Sequence, residues 1–180
     1  MRDLFISYTV GALLYCPANN ESIAKSIMQE RFGTKYSLAL CLEDTIKDDC
    51  VQDAECKLVA ALKNIYEEKQ KTEFYIPKIF IRVRCPEQIP TLFERLGEAE
   101  ALITGFIIPK FALDNADTYI EAMVKLNETS KRTIYMMPIF ESPTIINLQN
   151  RAQILYTLKE KLDNVAQYVL NIRVGGNDLC

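Results

Sequence analysis

Six short runs of apolar residues punctuate the chain, and longer stretches with helical spacing separate them. The runs cover residues 12–16, 37–42, 78–83, 102–108, 133–140 and 168–174. Each is nearly continuous in apolar side chains and gives way to a polar residue, Pro or Gly. Strands covered on both faces read this way, because a parallel sheet carries helices outside and packed side chains inside. Between them, Val51, Ala54, Leu58, Leu62 and Ile65 recur at three and four and predict one helix. Leu148, Ile154, Leu155, Leu158 and Leu162 predict another, and residues 20–32 and 117–126 are helix-like.

Six strand–helix alternations, with strand starts roughly 25 to 40 residues apart, match βαβ units. An open doubly wound sheet and an eight-fold barrel both have this grammar. The first strand leads into Cys16-Pro17-Ala18-Asn19-Asn20, without the Gly-rich turn that lets a backbone approach a pyrophosphate. A dinucleotide-binding fold is thereby excluded, and no Walker sequence occurs. The expected architecture is one domain over 1–180, a TIM-type (β/α)8 barrel cut short after about six βα units. A complete barrel needs roughly 250 residues, and this chain has 180. The missing strands are expected from a further C-terminal part or from a partner.

Composition narrows the chemistry. The 21 basic and 24 acidic residues nearly cancel, which argues against a nucleic-acid module, since those need a basic excess. The apolar runs are too short to cross a bilayer. Arg2 and Asp3 stand where a secretion signal would need an apolar stretch, so an intracellular, cytoplasmic protein is expected. Six cysteines with no CxxC spacing read as free thiols in a reducing compartment. There is no histidine. His-ligated zinc, Ser-His-Asp and Cys-His catalysis are therefore excluded, and chemistry falls to carboxylates, Lys, Arg, Tyr, Cys or a bound metal.

In a parallel barrel the active site forms at the C-terminal strand ends. Strand two ends in Leu42-Glu43-Asp44-Thr45, strand three carries Arg82 and Arg84, and strand four ends in Pro109-Lys110. Strand five ends in Phe140-Glu141-Ser142-Pro143, and strand six runs into Gly175-Gly176-Asn177-Asp178. Charges at the ends of buried strands need partners, either opposite charges or metals. Two carboxylates from adjacent strands make a partial shell for Mg²⁺, and Arg82 offers a planar fork for a substrate carboxylate. The plain alternative is a rim of salt bridges with no ligand.

The segments 12–20 (Ala-Leu-Leu-Tyr-Cys-Pro-Ala-Asn-Asn), Leu42-Glu43-Asp44-Thr45, Ile81-Arg82-Val83, 105–110 (Gly-Phe-Ile-Ile-Pro-Lys), Glu141 and 175–179 (Gly-Gly-Asn-Asp-Leu) occur in this order. In that order they resemble the citrate lyase beta subunit family, also called the HpcH/HpaI aldolase or CitE-like carbon–carbon lyases. The resemblance spans strand one to strand six. It implies a TIM barrel that cleaves or forms carbon–carbon bonds beside carboxylates with Mg²⁺, through an enolate. The implied substrate is a small carboxylated molecule, in some members a CoA thioester, and the implied assembly is a homo-oligomer. Neither nucleic acid nor membrane is an implied partner. By resemblance Glu141 and Asp178 are the metal ligands, Arg82 holds the substrate carboxylate, and Glu43 and Asp44 stand around the metal's water shell. Arg84, Lys110 and the backbone near Gly175 and Gly176 are candidate substrate contacts. The general base stays open between a water, Asp44 and a residue beyond position 180.

The chain departs from the family where Cys41 replaces a common Asp, Arg84 a common Asn and Asn177 a common acid. The stretch 137–143 resembles a divergent branch of the family. These departures leave a second function class standing, a noncatalytic barrel that binds an anionic metabolite or a protein partner.

Overall fold

A computed structural model of the chain describes residues 4–175. Six parallel strands, β1 (Ala12–Pro17), β2 (Tyr36–Cys41), β3 (Lys78–Arg82), β4 (Ile103–Ile108), β5 (Tyr135–Phe140) and β6 (Arg173–Val174), lie side by side in chain order. Helices α1 (Leu4–Tyr8), α2 (Ile23–Met28), α3 (Val51–Lys69), α4 (Gln88–Leu96), α5 (Ala116–Thr129) and α6 (Leu148–Asp163) precede and connect them. Right-handed crossovers between sequential neighbours place every connecting helix on the same face of the sheet. A doubly wound sheet would instead reverse its strand order part-way. The winding is that of a barrel, with six of the eight units of a (β/α)8 fold.

Strand alternation divides the apolar residues into two cores. Leu38, Leu40, Ile79, Ile81, Phe106, Ile108 and Met136 face outward and pack on Leu58, Leu62, Leu92, Met123, Leu158 and Leu162 of the helices. The alternate positions Ala39, Phe80, Ile107, Met137 and Ile139 form a separate inner cluster with Val10 and Leu170. Both faces of each strand are thus apolar, and the sequence runs read as continuous for that reason. The N-terminal end of the interior is closed by the segment before β1. Ile6 packs on the inner cluster, and the Ser37 hydroxyl donates to the Val10 carbonyl at 2.6 Å.

The sheet curls far enough for its two outer strands to meet across the interior. The Arg173 guanidinium on β6 lies 5.7 Å from the Tyr15 ring on β1. Each of these strands has a single sheet neighbour among the described residues, and Leu14 on β1, Val174 on β6 and Ile172 just before β6 are exposed.

Besides α1, a stretch the pattern left without an element, three elements differ from the sequence pattern. The sixth strand, expected over 168–174, is reduced to Arg173–Val174 and a single bridge between Met136 and Val169. Pro138 is the cause. Met136 donates to Tyr168 and accepts from Leu170, and the next β5 donor toward β6 would be residue 138. Proline has no N–H to give. The Leu170 carbonyl instead accepts from the Ser7 hydroxyl at 3.0 Å. Helix α4 occupies a stretch that the pattern left without an element, although Ile89, Leu92, Phe93 and Leu96 are buried at helical spacing. Pro90 falls in its first turn, where no intrahelical N–H is required. Helix α2 is shorter than its pattern, ending before Glu30 and Gly33, both at positive φ.

None of the described cysteines is disulfide-bonded. Among the described residues, no helix is long and apolar enough to cross a membrane.

Phe80 is fully buried in the inner cluster. Phe80→Ala is expected to cost about 3–5 kcal/mol, read as a fall in urea midpoint. A cost under about 1 kcal/mol would mean that the curled interior is not packed.

Candidate active site

The alternation that fills the interior also builds its mouth. One step beyond Ala39, Phe80 and Ile139 on the same face of their strands come Cys41, Arg82 and Glu141, and Cys41 pairs in register with Arg82. Arg82 and Glu141 are buried, at 8% and 3% exposure. A guanidinium and a carboxylate so far from water persist only with partners. Arg82 has three: its Nη2 lies 2.7 Å from Glu43 Oε2, 2.8 Å from Asp44 Oδ2 and 3.2 Å from Glu141 Oε1.

Lys110 completes the cluster. Its Nζ stands 2.7 Å from Glu43 Oε1 and 3.7 Å from Asp44 Oδ1, while its backbone N–H donates to Glu141 Oε1 at 2.9 Å. To aim that N–H at Glu141, the backbone of Lys110 adopts φ +49°, a conformation costly for a side chain with a Cβ. Asn115 holds the turn, its amide donating to the Lys110 carbonyl and its Oδ1 accepting from Ala112 N–H, each at 3.0 Å.

The electrostatics follow from this crowding. Burial favours the neutral form of Asp44, but the hydrogen bond with Glu43 and the charges of Arg82 and Lys110 outweigh it. The carboxyl is held below its usual range. Burial likewise works against the charge of Arg82, and Glu43, Asp44, Cys41 and Glu141 reverse the balance and raise its pKa. Tyr15 is pushed up, chiefly by burial.

Of the residues expected at the site, Glu43, Asp44, Arg82, Lys110 and Glu141 come together. Arg84 is occupied elsewhere. Its Nε donates to the Leu42 carbonyl at 2.7 Å, and Nη2 to that of Glu43 at 3.1 Å. Further bonds reach the Ile46 carbonyl and Asp48, so its guanidinium clamps the loop that carries the acids. Gly175, expected to bring its amide to a substrate, donates to the Phe140 carbonyl at 3.3 Å and packs on Glu141. A Cβ at position 175 would stand 2.2 Å from Glu141 Oε2 and 2.6 Å from its Cβ. The glycine makes room for the carboxylate. Gly176 and Asp178 lie outside the described residues. Among those described, no three acidic or cysteine side chains form a ready metal cage, since the acids converge on Arg82. Tyr15, Asn115 and Arg173 were not read from sequence. An Asn seven residues after the end of β4 and an Arg in an apolar run were the available signals.

Residues 4–180 match the profile of the carbon–carbon bond lyases of the TIM-barrel fold. The chain belongs to that family. Solved structures similar to it include a citrate lyase beta subunit from M. tuberculosis complexed with oxaloacetate and magnesium, at 16% identity and a TM-score of 0.48. Another is the protein CitE from Mycobacterium tuberculosis in complex with magnesium and pyruvate, at 16% identity and a TM-score of 0.50. Each comparison covers 97% of this chain, and 61% and 57% of the other chain respectively. The chain therefore spans about three fifths of the length of these structures, and at such identities the likeness is one of fold. No curated protein matches it. For this lyase-family chain, the observed strand-end cluster is the feature from which function must be argued.

Two outcomes test the geometry. Because the folded-state pKa of Asp44 is depressed, its contribution to stability is present above the unfolded carboxylate value and lost as pH falls through the folded one. Asp44→Asn should flatten the loss of urea midpoint below about pH 5; an unchanged acid limb refutes the assignment. Gly175→Ala should displace Glu141 and cost about 1–3 kcal/mol, with hydrogen exchange faster at the Lys110 amide that Glu141 accepts. Wild-type exchange there would contradict the contact.

Proposed function

We propose that this chain carries the metal- and carboxylate-binding part of a Mg²⁺-dependent carbon–carbon lyase or aldolase acting on a small carboxylated substrate. The observation that carries the reading is the convergence of Glu43, Asp44 and Glu141 on buried Arg82 at the C-terminal strand ends. Family membership supports the reaction class. The oxaloacetate and pyruvate complexes of the similar structures support the substrate class.

The donor set suits the ion. Mg²⁺ takes hard oxygen ligands and commonly keeps several waters, so one or two carboxylates suffice. Glu141, together with Asp178, would hold it, with Glu43 and Asp44 hydrogen-bonded to its waters. When bound, the ion supplies Lewis-acid polarisation of the substrate oxygen on which enolate charge develops. Arg82 would hold the substrate carboxylate through its planar fork. Lys110 orients Glu43 and Asp44 through its ammonium and Glu141 through its backbone N–H. The general base is a water, Asp44 or a residue beyond position 180. Arg84 keeps the acid-bearing loop in place.

Titration calorimetry of Mg²⁺ against wild type and Glu141→Ala, with folding checked by circular dichroism, tests the metal assignment. Affinity should fall at least tenfold in the variant, on the order expected for loss of a direct ligand. Equal binding refutes it. Turnover of oxaloacetate, pyruvate or their CoA-ester relatives with Mg²⁺ separates a lyase from an anion-binding barrel, for which binding without turnover is the signature.

A further inference from the structure

The way Arg82 is occupied carries an inference that rests on the reading above and deepens it. The guanidinium edge suited to a bidentate carboxylate is made of Nε and Nη2, whose N–H bonds run side by side. In this chain the edge is unevenly filled. Nη2 holds three carboxylate oxygens at 2.7, 2.8 and 3.2 Å, while Nε is buried without a hydrogen-bond partner among the described residues. A buried donor left unmet is unfavourable, and in a residue nine-tenths buried it marks a place for an acceptor. A carboxylate that takes this edge in the stronger bidentate geometry satisfies Nε and needs Nη2 as well.

The acids are shared as well: Glu43 and Asp44 face both Arg82 and Lys110, and Glu141 faces Arg82 and the Lys110 N–H. A divalent cation that engages Glu141 removes one oxygen from Nη2 and places further positive charge beside Arg82, which favours an incoming carboxylate.

We propose that the site is self-masked: Arg82 is held by the chain's own carboxylates, and it admits a substrate carboxylate only after a divalent cation has engaged Glu141. Cation binding then comes first, and the two ligands strengthen each other by one common factor, as linkage requires. Glu43, which touches both Arg82 and Lys110, is the main mask.

The test is calorimetric and needs no turnover. Oxaloacetate is titrated into the full chain with and without Mg²⁺, and Mg²⁺ with and without oxaloacetate, for wild type, Glu43→Gln and Asp44→Asn. For wild type, Mg²⁺ should raise oxaloacetate affinity about tenfold or more, within the usual range of coupling factors, and oxaloacetate should raise Mg²⁺ affinity equally. Glu43→Gln should bind oxaloacetate without metal about tenfold more tightly than wild type, with the coupling factor reduced to match. Asp44→Asn, at a more exposed residue, should show the same changes in smaller measure and serves if Glu43→Gln does not fold. Coupling through chelation of the ion by oxaloacetate alone would leave the factor unchanged in both variants, and that result overturns the proposal. So does wild-type binding of oxaloacetate that is indifferent to Mg²⁺, and in that case the functional reading survives. If wild type binds neither ligand, both fall.

Discussion

A guanidinium buried among three carboxylates is the constraint on which the rest of this structure turns. Taking Arg82 out of water is unfavourable by several kcal/mol unless opposite charges surround it, and the fold supplies them from two strand ends, those of β2 and β5. That demand explains features that otherwise look unrelated. Lys110 holds an unfavourable backbone angle because its N–H must reach Glu141. Gly175 lacks a side chain because Glu141 occupies the space. Arg84 gives its whole guanidinium to loop carbonyls and Asp48, which fixes the position of Glu43 and Asp44.

The inner apolar layer makes the cluster possible. Phe80 and Ile139 sit directly beneath Arg82 and Glu141 on the same faces of β3 and β5. They exclude water from below, which lowers the local dielectric and strengthens each ion pair. The same dryness keeps these interactions from being screened, whereas charges in water at physiological salt are screened over about 8 Å. Packing and electrostatics are here two consequences of one strand alternation.

Much of the barrel was legible because a parallel strand buried on both faces leaves an unmistakable apolar run. Five of the six runs became strands within about two residues. The sixth failed at Pro138, whose effect falls on the strand beside it: a missing donor in β5 shortens β6. Helix α4 was overlooked although its buried residues stand at helical spacing, and Pro90 falls in its first turn, where proline is harmless. At the site, strand-end acids and bases were legible as a set. Their partners were not, because Arg82 and Arg84 stand two positions apart in one strand run and nothing local distinguishes the arginine that enters the mouth from the one that clamps a loop.

What the sequence by itself determined is the architecture and the chemical inventory. Period-two burial, helical spacing and the absence of histidine are local properties, and each can be read without knowing what lies opposite. What only the tertiary structure decided is the allocation of charge. Among the described residues Nη2 of Arg82 takes three acids while Nε takes none, and Gly175 serves Glu141 at a distance of 34 positions along the chain. Such pairings depend on how far the sheet curls and which strand ends it brings level. That is a global property of the fold, with no trace in any single stretch of residues.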